Sequence, residues 1–180
     1  MPDPLDDIIA ELTYESTTRT IARQRVLEWM QTNDIECMGA TYSLITDCFD
    51  RIQPALQFDE YYPFVLTYLK RCLLEDPQSE WTATRYGAGH NIIGWFVWSW
   101  RDPSRRMSTV AELKEWLTAL YLAGDAEVRT CLVQATLEHL FENREVAEYF
   151  ASWKEHPILT TAYGQAMEWV EAGGTSPFWF

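Results

Sequence analysis

Three histidines and a set of carboxylates are the residues in this chain whose types and spacing suit chemistry. His90 closes the stretch Tyr86-Gly87-Ala88-Gly89-His90. A glycine-rich loop leading into a helix presents backbone N–H groups that would cradle an anion. This one lacks the lysine and Ser/Thr of a P-loop and the G-x-G-x-x-G spacing of a dinucleotide site, and no strand is expected before it. A plain loop with a capping or packed histidine is the simpler reading. His139 and Glu142 are spaced i, i+3, which places both on one helical face. Di-iron bundles need two Glu-x-x-His motifs and two further glutamates, and the chain contains no Glu-x-x-His. His139 is therefore expected at the edge of an apolar stripe, and His156, before Pro157, in a turn. There is no Gly-x-Ser-x-Gly, His-Glu-x-x-His or supported Cys–His arrangement. No catalytic set, metal site or cofactor is expected.

Binding is better served than catalysis. Glu127, Glu138, Glu142, Glu145 and Glu148 form an acidic row, either a solvated face or a docking surface. Arg101, Arg105 and Arg106 would pair with acidic neighbours or hold an anionic ligand. The tail Phe178-Trp179-Phe180 follows Gly173-Gly174. Three exposed aromatics would cost solubility, so the tail either folds back into a groove or inserts into a partner or a sister subunit, making a homodimer. An alternative ligand pocket is expected near residues 85–101, lined by Tyr86, Trp95 and Trp98 with His90 and Arg101 as polar contacts.

The elements that must position these residues read as helices. Ile92–Trp100 has eight apolar residues in nine, three of them tryptophan. Apolar on every side, it is expected to be enclosed on every side. It reads as a central helix, although its β-branched and aromatic content also suits a strand. Tyr62, Val65, Leu66, Leu69, Cys72 and Leu73 form a clean helical stripe after Asp59, and Tyr42, Ile45, Cys48, Phe49 and Ile52 form another beginning after a break at Gly39. Asp3-Pro4 would start a first helix, and Thr17 or Thr18 a second that carries Ile21, Ala22, Val26 and Trp29 to a stop at Asn33-Asp34. Thr109 to Glu112 fits a capping box. Asp125 caps the next helix, Asn143 stops it, and Pro157 opens the last.

The expected architecture is all-α, one domain over residues 1–180 with about eight or nine antiparallel helices around a Trp-rich centre. A subdivision into 1–76 and 91–171 would be joined by the connection 77–90 and followed by the tail 172–180. The net charge is −13, with nine tryptophans. That balance argues against nucleic-acid binding and against anionic membrane surfaces. The four cysteines show no metal-ligand spacing. The acidic start is unlike a signal peptide, and the longest apolar run is half a membrane span. A reduced, cytoplasmic protein is expected, with no nucleic acid or membrane as partner.

Gly124-Asp125-Ala126-Glu127-Val128-Arg129, leading into an apolar helix, resembles the second helix of HEAT-type repeats, where the Asp caps the helix and the Arg lies on its solvent side. In size, acidity and lack of catalytic motifs the chain resembles small acidic helical proteins of bacteria, several of them immunity proteins of polymorphic toxin systems. The resemblance covers residues 108–171 best and implies HEAT-like hairpins over 125–140. It also implies a non-catalytic module whose acidic surface binds a basic protein partner, as a toxin-neutralising immunity protein would.

Overall fold

The computed structural model describes residues 4–14, 19–106 and 108–179, the Arg106 side chain excepted. The expected starts at Asp3 and at Thr17 or Thr18, and Phe180 of the tail, lie outside them. The chain is all-α and divides into two compact units, Met1–Thr84 and Arg85–Phe180. The boundary falls inside the connection expected at 77–90.

The first unit contains α1 (Pro4–Leu12), α2 (Arg23–Trp29), α3 (Ile35–Asp47) and α4 (Phe58–Glu75). Ile21 and Ala22, expected on a helix, instead pair in parallel with Ile52 and Gln53 as two-residue strands β1 and β2. α4 supplies the largest share of this unit's core, with Tyr62, Val65, Leu69, Cys72 and Leu73 buried as the stripe requires. Its start lies at Gln57, whose N–H donates to the Glu60 carboxylate at 2.8 Å. Asp76, in the left-handed conformation at φ 48°, ends it.

Two expectations at α3 fail. Asp34 does not close the preceding helix but opens α3, accepting the Cys37 N–H at 2.9 Å. Gly39 is then an interior residue of α3 and not a break. The reason is tertiary: a β-carbon there would collide with the backbone carbonyl of Trp81, so glycine lets two stretches of main chain touch. Nearby, the Tyr68 hydroxyl accepts the Ala83 N–H at 2.7 Å and ties down the same segment. α1 is held by its one buried acid: Glu11, 3% exposed, receives Arg19, Arg25 and Arg51 at 2.9, 3.4 and 3.2 Å.

In the second unit α5 (Arg85–Arg101) is the hub, followed by α6 (Pro103–Arg106), α7 (Thr109–Ala123) and α8 (Ala126–Leu132). A single π-helical turn over Val133–Leu137 carries α8 into α9 (Glu138–Phe141). α10 (Arg144–Tyr149), a 3-10 turn at Ala151–Glu155 and α11 (Leu159–Glu171) complete it. Ile92–Trp100 is helical, with Ile92, Ile93, Phe96, Val97 and Trp100 buried. It is not enclosed on every side, because Gly94 and Trp98 are exposed.

The glycine-rich stretch before it is no loop. α5 begins at Arg85, and Gly89 lies where α5 meets the π turn. A β-carbon at Gly89 would stand 2.7 Å from that of Ala135, and the Thr136 hydroxyl donates to the Gly89 carbonyl at 2.9 Å. Gly87 lies in the first turn of α5 and Gly89 in its second, so the stretch is not the expected loop before a helix.

Asp125 caps α8, accepting from Val128 N–H at 2.9 Å. Arg129 folds back to the carbonyls of Tyr121 and Leu122 at 2.8 and 2.9 Å, satisfying the open end of α7. The capping box expected at Thr109 is not formed; Ser108 precedes α7 without a side-chain bond. Asn143 opens α10 by accepting from Glu145 N–H. His156 caps α11, its Nδ1 accepting from Ile158 and Leu159 N–H.

Candidate functional site

A groove of about 390 Å³ lies between the α8–α9 segment and α11, lined by Thr130, Val133, Gln134, Glu138, Gln165, Glu168 and Trp169. Its size falls at the lower end of ligand-sized pockets. Residues 130, 134 and 138 follow one another at helical spacing along one side. Residues 165, 168 and 169 supply the other from successive turns of α11.

Two of the wall residues, Gln134 and Trp169, are fixed from behind. The Tyr86 hydroxyl donates to Gln134 Oε1 at 2.8 Å. The Trp169 ring meets His139 edge-on at 5.1 Å between centroids, and the Gly174 N–H donates to the Trp169 carbonyl at 3.1 Å.

The charge in the groove is one-sided. Neither Glu138 nor Glu168 has a side-chain hydrogen bond or ion pair among the described residues, and the lining contains no Lys, Arg or His. Burial pushes the Glu138 carboxyl above its ordinary value. A half-buried carboxylate with no compensating donor is costly. Glu138 is such a group, and with the exposed Glu168 across the groove and Trp169 beside them the lining suits a cation, which would gain both Coulomb attraction and the ring face.

The five glutamates expected as an acidic row do not share one setting. Glu127 pairs with Arg85 at 2.6 Å. Glu138 enters the groove. Glu142 turns inward, accepting from the Ser176 hydroxyl at 3.1 Å with His139 Nδ1 3.6 Å from its other oxygen. Glu145 and Glu148 are exposed on α10, beyond the break that Asn143 makes.

The five residues expected around a pocket near 85–101 also part company. Tyr86 joins Gln134. His90 lies beside His139 and Phe178, with centroids 5.5 and 6.3 Å away. Trp95 meets Trp98 edge-on at 5.8 Å, Trp98 is stacked under the Arg105 guanidinium at 3.8 Å, and Arg101 is exposed at the helix end. Tyr86 and Arg101 are fifteen residues apart on one helix, about 22 Å, too far to grip one small ligand. Of the arginine cluster, Arg105 also faces Asp102 at 3.6 Å.

The aromatic tail folds onto its own unit. Phe178 packs against His90 and His139, and the Trp179 indole N–H donates to the His139 carbonyl at 2.7 Å. Burial, then the charge of His90, lower the His139 pKa against the opposing pull of Glu142. Among the described residues no group of three or more His, Cys, Asp or Glu could hold a metal ion. Cys37, Cys48, Cys72 and Cys131 are free thiols. No described helix is long and apolar enough to cross a membrane.

Glu168, Gln165 and Gln134 escape sequence reading because they acquire a role only when α11 packs on α8 and α9. The one available signal was the polar side of α11 at 165 and 168, opposite the apolar stripe. No family model, curated protein or solved structure matches the chain.

Proposed function

We propose that this chain is a non-catalytic protein-binding module whose second unit receives a cationic side chain, lysine or arginine, from a basic protein partner. The observation that supports it is the pair Glu138 and Glu168, uncompensated beside Trp169, in a chain of net charge −13. The overall charge steers a basic partner toward the surface, and the groove supplies the local complement. A toxin-neutralising immunity protein is the finer form of this reading. A nuclease toxin holds phosphate on a basic surface, which an acidic inhibitor would occupy in place of nucleic acid.

The test is binding of an arginine-rich peptide to the full chain, followed by fluorescence anisotropy at low and high salt. Binding is expected to weaken as salt rises and to fall about tenfold, or about 1.4 kcal/mol, in Glu138→Gln/Glu168→Gln. Glu112→Gln/Glu155→Gln removes the same charge from exposed positions and is expected to change it far less. Equal losses in both double variants would reduce the attraction to net charge alone and remove the groove from the account.

A further inference from the structure

A second cleft of about 410 Å³, sharing no residue with the cation groove, is lined by Lys114, Glu115 and Thr118 of α7 and by Tyr149, Ser152 and Trp153, among others. Lys114 Nζ donates to the Tyr149 carbonyl at 2.7 Å and to Ser152 Oγ at 3.1 Å. It lies 4.7 Å from the Tyr149 ring centroid and 5.3 Å from that of Phe150. The carbonyl contact caps the end of α10, a structural duty lysine commonly serves. All these neighbours are neutral, and among the described residues no carboxylate pairs with this ammonium. Burial correspondingly lowers its pKa.

Glu115, next in the chain and in the same lining, pairs with no cation among the described residues either. One cleft therefore presents a cation and an anion that do not neutralise each other. A simple anion would satisfy Lys114 and be repelled by Glu115. A simple cation would meet the reverse.

A small molecule carrying both charges would satisfy both. The ammonium of Lys114 has three N–H donors, two already used, so one remains. Ser152 Oγ accepts from Lys114 and keeps its own proton to donate. His156, also in the lining, uses Nδ1 to cap α11. Tyr149 and Trp153 give the cleft an aromatic wall.

We propose that this cleft binds a free amino acid with an apolar side chain. Its carboxylate is held by Lys114 Nζ and the Ser152 hydroxyl, its ammonium by the Glu115 carboxylate, and its side chain by Tyr149 and Trp153. The site uses none of the groove residues, so its failure leaves the protein-binding reading standing.

Isothermal titration of the full chain with free leucine, phenylalanine and tryptophan tests it, each compared with its carboxamide, which lacks the carboxylate, and its N-acetyl form, which lacks the ammonium. At least one parent amino acid is expected to bind, and both derivatives to lose about tenfold or more, equivalent to about 1.4 kcal/mol. Lys114→Met should abolish binding. Because that change also uncaps α10, Glu115→Gln, an exposed position, serves as the second variant and should weaken the parent while strengthening the N-acetyl form, whose repulsion it removes. An N-acetyl amino acid that binds as well as its parent would reduce the cleft to an anion site and overturn the proposal. So would the absence of heat at millimolar concentrations of all three parents.

Discussion

The indole N–H of Trp179 donates to the backbone carbonyl of His139 at 2.7 Å, binding the end of the chain to the junction of the π turn and α9. That carbonyl belongs to a short helical segment whose hydrogen-bond register the π turn has already displaced, so the indole supplies a donor where the helix is least regular. Trp179→Phe keeps an aromatic ring, though a smaller one, and removes the donor. It is expected to cost about 1 kcal/mol in urea denaturation. A change within about 0.3 kcal/mol would show that water replaces the indole without loss.

Two glycines inside helices predict opposite outcomes. At Gly39 a β-carbon would strike the Trp81 carbonyl, whereas at Gly94 nothing lies within 4 Å. Gly39→Ala should destabilise by about 3 kcal/mol or more, because backbone cannot move aside as a flexible side chain can. Gly94→Ala should stabilise by about 0.5–1 kcal/mol through lost freedom of the unfolded chain. Thermal melts of both single variants decide it; equal signs would mean that the α3 contact with Trp81 is not part of the folded state.

The same glycines show where sequence reading stopped. The stripe from Tyr62 to Leu73 and the cap at Asp125 depend on residues within a few positions of one another, and local spacing exposes them; Asn143, expected as a stop, is the cap of α10. Gly39, Gly87 and Gly89 look like breaks by the same local logic. Glycine is needed at Gly39 and Gly89 because of Trp81, Ala135 and Thr136, forty or more residues away. Ile92–Trp100 falls short of full enclosure for a related reason: Trp98 is covered on one face by Arg105 and needs no helix there. Of the groove, only Glu138 was legible, because its partners across the gap belong to α11.

His139 sets a pH dependence. Its folded pKa lies below the ordinary value of about 6.5, lowered first by burial and then by His90. The groups that face it are His90 from α5, Glu142 from its own segment, and the Trp169, Ser176 and Phe178 neighbourhood. Folding therefore keeps the ring neutral. The stability this brings is whole above the unfolded pKa and is lost as pH falls through it toward the folded one. Asp34, Glu60, Glu75 and Asp102 have carboxyl pKa values held down by hydrogen bonds. Their contributions decline only as pH falls below the ordinary carboxylate values, so they do not account for a loss that falls between the ordinary histidine and carboxylate values. Melts over that window should show a falling midpoint in the native chain and a flatter one in His139→Gln. A midpoint that stays level both in the native chain and in Glu138→Gln, where the opposing relief at Glu138 is absent, would mean that Glu142 stabilises the charged ring as strongly as burial opposes it.

Glu138 joins stability to binding with opposite signs. Burial raises its pKa and no donor offsets it, so the charged form is less favourable in the folded chain than in the unfolded one. The penalty is present at neutral pH and disappears as pH falls through the raised folded pKa toward the unfolded value. Glu138→Gln keeps the shape and removes the charge. It is expected to raise the melting midpoint at neutral pH by a degree or two, a few tenths of a kcal/mol, while weakening the arginine-rich peptide. Such an exchange of stability for binding is common where a group is kept for its ligand and not for the fold. At a pH below the unfolded carboxyl value, near 4.5 or lower, the stability difference between the two chains should vanish. If Glu138→Gln is instead less stable than the native chain at neutral pH, the carboxylate has a stabilising partner within its own fold, and the groove is a structural feature with no vacancy for a cation.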